Sequence, residues 1–189
     1  FSACTGNRHY RTDIDQTEHP ICVESAEASC GSASLIATPN YLLGFVEFDD
    51  LGWLWNREQK DDVVAAVQKL AAHEDIVLVT FAHGWNHNAH ERDQNVLGFR
   101  SVLDRLAKLE AESATDLCQK PRKVVGVYLG WRGKAFWGAS SFPAVLWNWA
   151  SFPTRKATAH RIGSEDSAEL LADLEASWRN ARTRRPQAP

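Results

Sequence analysis

The chain has 189 residues, 21.1 kDa, with 44% apolar and 24% charged residues and a formal charge of −3. That length and balance mark a globular protein with enough chain to bury a core, and exclude a disordered polymer. Slight acidity without a basic face gives nucleic acid no footing, and no apolar stretch approaches the roughly 18 residues that cross a bilayer.

The N-terminal region, residues 1–34, reads as a tether with irregular structure, rich in Ser, Glu, Thr and Cys. The sequence contains no methionine, so a segment removed ahead of Phe1 is expected. Phe1-Ser2-Ala3-Cys4 reads like a lipobox, which predicts lipidation at Cys4 and an exported protein anchored in a bacterial envelope. Four ordinary residues at a fragment's edge, in a cytoplasmic protein, are the alternative. Cys22 and Cys30 lie eight apart, and a bridge between them would staple this loose region in an oxidising compartment.

Next come the regular elements. Tyr41 to Phe48 is strand-like and, with Trp53-Leu54-Trp55 after the turn at Asp49-Asp50-Leu51-Gly52, predicts an antiparallel pair at a sheet edge. From Glu58 to His73, Val63, Val64, Val67, Leu70 and Ala71 fall at helical spacing. Ile76 to Ala82 is a continuous apolar run, the mark of a strand covered on both faces. Asn95 to Ala111 predicts a second helix, with Val96, Phe99, Leu103, Leu106 and Leu109 on its inner stripe. Cys118, near its end, reads as a buried or half-buried thiol. Lys123 to Gly130 is another buried strand. Asp166 to Arg179 predicts a third helix, with Leu170, Leu171, Leu174 and Trp178 turned inward. Strands alternating with helices give right-handed parallel crossovers, hence an open, mostly parallel α/β sheet with flanking helices and antiparallel edge strands at the start.

In such sheets chemistry gathers at the carboxyl ends of the strands. His83-Gly84-Trp85 and Trp131-Arg132-Gly133 follow the two central apolar runs there. The ordered set Phe45 to Asp50, Thr80 to Ala89 and Val125 to Gly133, with Phe152 to Gly163, resembles the front half of a bacterial α/β-hydrolase, in a lipase- or esterase-like branch. That resemblance covers about residues 40 to 180 and implies a partial hydrolase domain over 35–189. It also implies that Ala82-His83-Gly84-Trp85 is the loop whose Trp85 amide helps bind a tetrahedral oxyanion, with Gly84 letting the backbone approach the reacting carbonyl. A small-molecule or lipid ester is the substrate this implies, with no cofactor and no metal.

One departure from the family pattern is decisive. No G-x-S-x-G occurs in the chain; Gly138-Ala139-Ser140-Ser141-Phe142 lacks the second glycine and a leading strand. The expectation is therefore an N-terminal part that carries the oxyanion loop, with nucleophile, acid and base all beyond Pro189. A lipid-anchored binding protein on a hydrolase-like scaffold is the non-catalytic alternative. Trp131, Trp137, Trp147 and Trp149 read either as a lid or acyl-chain wall or as aromatics packed inward. His83, His87 and His90, with Asp93, form a rival metal-binding reading, although Asn86 and Asn88 interrupt the ligand set.

Overall fold

The computed structural model describes residues 9–12, 21–24, 30–49, 51–84, 87–131 and 166–184, the last without the side chains of 182 and 184. Five strands and three helices occur among them: β1 (Ile21–Val23), β2 (Leu35–Ala37), β3 (Tyr41–Phe48), α1 (Arg57–His73), β4 (Ile76–Ala82), α2 (Gln94–Asp116), β5 (Lys123–Trp131) and α3 (Asp166–Arg184). The strands form one sheet in the order β1-β2-β3-β5-β4. Only the β2–β3 pair is antiparallel; β1–β2, β3–β5 and β4–β5 run parallel. The protein is thus α/β, with a mostly parallel sheet and flanking helices.

Two glycines set how closely the helices approach. A Cβ on Gly44 would stand 2.7 Å from Val63 Cγ1 of α1, and one on Gly126 would stand 2.4 Å from Leu103 Cδ1 of α2. In the β3–β5 ladder Gly126 is level with Leu43 and Gly44 with Val127, so these close approaches lie on opposite faces. Two core layers follow. One holds Val46, Phe48, Val63, Val67, Val127, Leu170 and Leu174 beneath α1 and α3; the other holds Tyr41, Phe45, Val96, Phe99, Leu103 and Tyr128 beneath α2.

Local signals explain the helix starts. The Asn56 side chain accepts from Glu58 N at 2.8 Å, and Asp93 accepts from Asn95 N at 2.9 Å, each satisfying an otherwise orphan amide. At α3 the acidic first turn favours the helix dipole, and Asp166 also accepts from Leu54 N at 2.8 Å. Lys60, buried on α1, reaches Glu169 at 2.6 Å and Asp173 at 2.7 Å and so ties α1 to α3. Burial alone would pull its pKa down, but these two hydrogen bonds outweigh it and leave it raised.

Several expectations change on contact with the fold. β3 is interior rather than an edge, and Trp53-Leu54-Trp55 contributes a single bridge, Phe48 to Leu54, instead of a paired strand. The turn before it is built by Asp49, whose side chain accepts from Leu51 N and Trp53 N, and by Gly52 at φ 89°. β4 is the terminal strand of the sheet among the described residues, and its side chains are mostly half-exposed rather than covered on both faces. An apolar run at a sheet's end looks the same in sequence as one at its centre. Leu109 and Leu171 are exposed, and Cys118 is exposed in a left-handed turn at φ 54°. The N-terminal region is more ordered than a tether: β1 pairs with β2, and Cys22 and Cys30 are joined by a disulfide.

Candidate functional site

β3, β4 and β5 deliver Glu47, His83 and Trp131 to their carboxyl ends, the edge where an open α/β sheet does chemistry. His83 is buried and both its ring nitrogens are engaged. Its Nε2 accepts from the Trp131 amide at 2.8 Å, which places the proton on Nδ1, and Nδ1 donates to Gly84 O at 2.9 Å. The Trp131 indole returns a bond from Nε1 to His83 O at 2.9 Å, and the two rings stack at 5.2 Å and 4°. Burial drives the His83 pKa down to about 4, against the pull of the Gly84 hydrogen bond and Asp93. A neutral imidazole with no free nitrogen is a strut, and it locks the end of β4 to the end of β5.

His83 thus fixes the end of the loop expected to carry the oxyanion donor. Trp131 is the buried last residue of β5 and the other half of the clasp, which is the inward-packed one of the two readings its sequence allowed. Gly84, by contrast, is exposed, and among the described residues nothing lies within 4 Å of the position a Cβ would take. Trp85, the expected oxyanion donor, lies outside the described residues, as do Cys4, Trp137, Trp147 and Trp149.

Beyond Gly84 the chain builds a second polar pair. His87 Nδ1 lies 2.9 Å from Asp93 Oδ1, with the His87 side chain 31% exposed and the Asp93 side chain 7%. Asp93 is further held by the Asn88 amide at 3.2 Å and the Asn95 amide at 2.9 Å. The buried Asn88 side chain accepts from His90 N, and Tyr128 donates to Asn88 O at 3.1 Å, so the loop is fixed from beneath. Burial also pushes the Tyr128 hydroxyl's pKa up, keeping it a neutral donor. His83, His87 and His90 do not converge: among the described residues no three His, Cys, Asp or Glu side chains are placed to hold a metal ion.

A feature that sequence reasoning missed closes the other side. Residues 9–12 lie as a strap across the strand ends. Arg11, 1% exposed, stacks its guanidinium 3.7 Å from the Phe45 ring centre and donates to Ala89 O at 2.8 Å and Gly31 O at 2.7 Å. Burial lowers its pKa to about 10 against the pull of Glu47, so it stays charged at neutral pH. Glu47 accepts from the Tyr10 and Arg11 amides, and His9 Nε2 stands 3.2 Å from its Oε2 and 3.0 Å from Gln59 Nε2. Burial pushes the Glu47 carboxyl up, with His9 and the two amides pulling the other way. The only sequence trace of this arrangement was Glu47 itself, a charge inside an apolar strand.

Comparison with protein-family models, with curated proteins and with solved structures finds no match for this chain. The site therefore rests on its own geometry: an open glycine turn, a rigid clasp behind it and a carboxylate-bound histidine beside it.

Proposed function

We propose that this chain is the N-terminal part of a serine hydrolase that cleaves esters, supplying the sheet and the oxyanion loop while the nucleophile comes from a strand that follows α3. The observation that carries it is Gly84: exposed at the carboxyl end of β4, held from behind by the His83–Trp131 clasp, and, among the described residues, with nothing within 4 Å of the position a Cβ would take. A backbone donor at such a turn needs no side-chain rotamer frozen at the moment of reaction, and one donor is worth about 3 kcal/mol of barrier.

Crossover handedness supports where that strand would lie. α1 carries the chain from β3 to β4 over one face, and α2 returns it to β5 over the other. α3 packs beside α1, so a right-handed crossover through α3 leads in the same direction as α1 did, past β4 to the edge that no described strand pairs with. A cleft of about 400 Å³ lies there, lined by Ile76, Leu78, Leu171, Leu174 and Trp178 with Thr80, Arg122 and Glu175 beside them. A parallel strand in that position ends beside Gly84. The Cys22–Cys30 disulfide supports an oxidising compartment, in keeping with export and lipidation at Cys4.

The test is labelling of the natural full-length protein with a fluorophosphonate probe, together with hydrolysis of p-nitrophenyl acetate. A labelled serine is the expected result. Gly84→Ala should leave the melting temperature unchanged, since its Cβ meets none of the described residues, yet slow hydrolysis by about 100-fold through displacement of the carbonyl. Absence of both labelling and hydrolysis in the unaltered protein defeats the reading.

A further inference from the structure

We propose that the groove between α1 and the outer strands of the sheet binds a free long-chain carboxylate. The acyl chain lies on the groove's apolar floor, and the carboxylate meets Lys69, His73 and Lys123 at its rim. The groove holds about 370 Å³, within the span of small-molecule sites. It opens at the amino ends of β3 and β5, far from Gly84: the nine residues of β5 separate the two edges of the sheet by roughly 26 Å. The assignment does not rest on the hydrolase reading.

Residue size and register make the floor. α1 presses onto the sheet at Gly44, where the missing side chain admits Val63. Nearly one turn further along α1 the facing side chains shrink to Ala66 and Ala37, and the space they leave is the groove. Leu42 and Leu70 complete its floor. The strand register then carries the apolar surface outward, since Val23, Ala37 and Leu42 stand level across β1, β2 and β3 and so share a face. Ile21, on the same face of β1, is 38% exposed and Val23 is 68% exposed. An acyl chain running across the strands covers both.

The rim decides the head group. Lys69 and His73 are neighbours on one face of α1, and the Lys123 amide donates to Asp75 O at 2.7 Å, which brings the start of β5 to the end of that helix. Among the described residues neither Lys69 nor His73 has a carboxylate partner. The Lys123 ammonium donates to Pro39 O at 3.0 Å, a neutral acceptor that leaves its charge uncancelled. Glu74, the carboxylate in the lining, pairs with Lys120 at 3.4 Å. Two ammonium groups and an imidazole thus gather beside an apolar trough, in a chain whose formal charge is −3. The helix dipole accounts for His73 in the last turn of α1, but not for Lys123, which comes from a strand. An anion at the end of an apolar chain satisfies rim and floor together.

Titration calorimetry of the full-length protein with sodium laurate, kept below its micelle concentration, tests the site. One equivalent should bind. Dodecyltrimethylammonium, a chain of the same length with the opposite charge, should bind about 10-fold more weakly or worse. Lys69→Glu, on the exposed side of α1, should weaken laurate by about 10-fold with the melting temperature unchanged. Lys108→Glu makes the same charge change on the exposed side of α2 and should leave the affinity as it was. Ala66→Phe fills the groove and should abolish binding with the helices intact by circular dichroism. Should that variant fail to fold, Lys69→Glu and the two head groups still decide. No binding of laurate overturns the site, as does equal binding of the two head groups or an equal loss in Lys108→Glu. Laurate that still binds after both Lys69→Glu and Ala66→Phe occupies another place, and overturns it too. Labelling by the fluorophosphonate probe bears on none of these outcomes, so the two readings stand or fall separately.

Discussion

His83 illustrates how one side chain can look reactive and act as a strut. A histidine at the end of a strand, followed by glycine, carries the right chemistry for a site, but the Trp131 amide and Gly84 carbonyl claim both its nitrogens. The consequence is a pH dependence with a definite sign. Folded, His83 titrates at about 4; unfolded, a histidine titrates near 6.5. Between those values the unfolded chain binds the extra proton, so the contribution is complete above about pH 6.5 and is lost as pH falls toward 4. A gap of that size amounts to roughly 3 kcal/mol. Glu47 acts in the opposite sense across its own range, because burial raises its carboxyl and the folded state holds its proton more tightly. Comparing urea midpoints at pH 7 and pH 4.5 for the protein and for His83→Gln separates the two: the variant should lose clearly less stability on acidification. Equal losses would mean that His83 is not the group responsible. At this scale the sequence singled out the His83–Gly84 turn but not the contacts that fix it. The glycine's open face, the histidine's full engagement and the buried Arg11 all depend on partners dozens of positions away, and no local pattern encodes them.

Elements were more legible than residues. The helices at 57–73 and 94–116 and the strands at 76–82 and 123–131 are where periodicity places them, with ends shifted by a few residues. Caps such as Asn56 and Asp93 explain the starts. What periodicity cannot carry is lateral order: β4 and β5 are both apolar runs, yet among the described residues β5 is flanked on both sides and β4 on one. The glycines record the difference. Gly126 lies where α2 presses on β5, so Gly126→Val should force Leu103 and Phe99 outward and cost about 2–3 kcal/mol, measured by chemical denaturation. A neutral result would mean that α2 can lift from the sheet without loss. The short strand β2 escaped notice because three residues give no period to read, and β1 lay hidden in a segment whose composition argues for a tether.

Across the whole molecule, distant pieces of chain hold the N-terminal region to the sheet. The Cys22–Cys30 bond closes a loop of nine residues, and chain-entropy arguments put its contribution at about 2.5 kcal/mol. Reduction with a thiol should lower the denaturation midpoint by that much; an unchanged midpoint would show that β1 and the Arg11 contacts fasten the region unaided. Arg100 adds a tie from α2, donating to Tyr41 Oη at 3.0 Å and pairing with Glu24. The fold class was legible at this scale from the alternation of elements, whereas the closure of its carboxyl edge was not.

The strap has a consequence for how the molecule is made. Arg11 leaves the ribosome before any of its partners, and its bonds to Glu47 and Ala89 span 36 and 78 positions. Such distant closures cost more chain entropy than local ones and reward it only when the far end arrives. The earliest part of the described chain therefore waits as a loose end until residue 89 has been made, and latches later than the local helix and turn that precede that point.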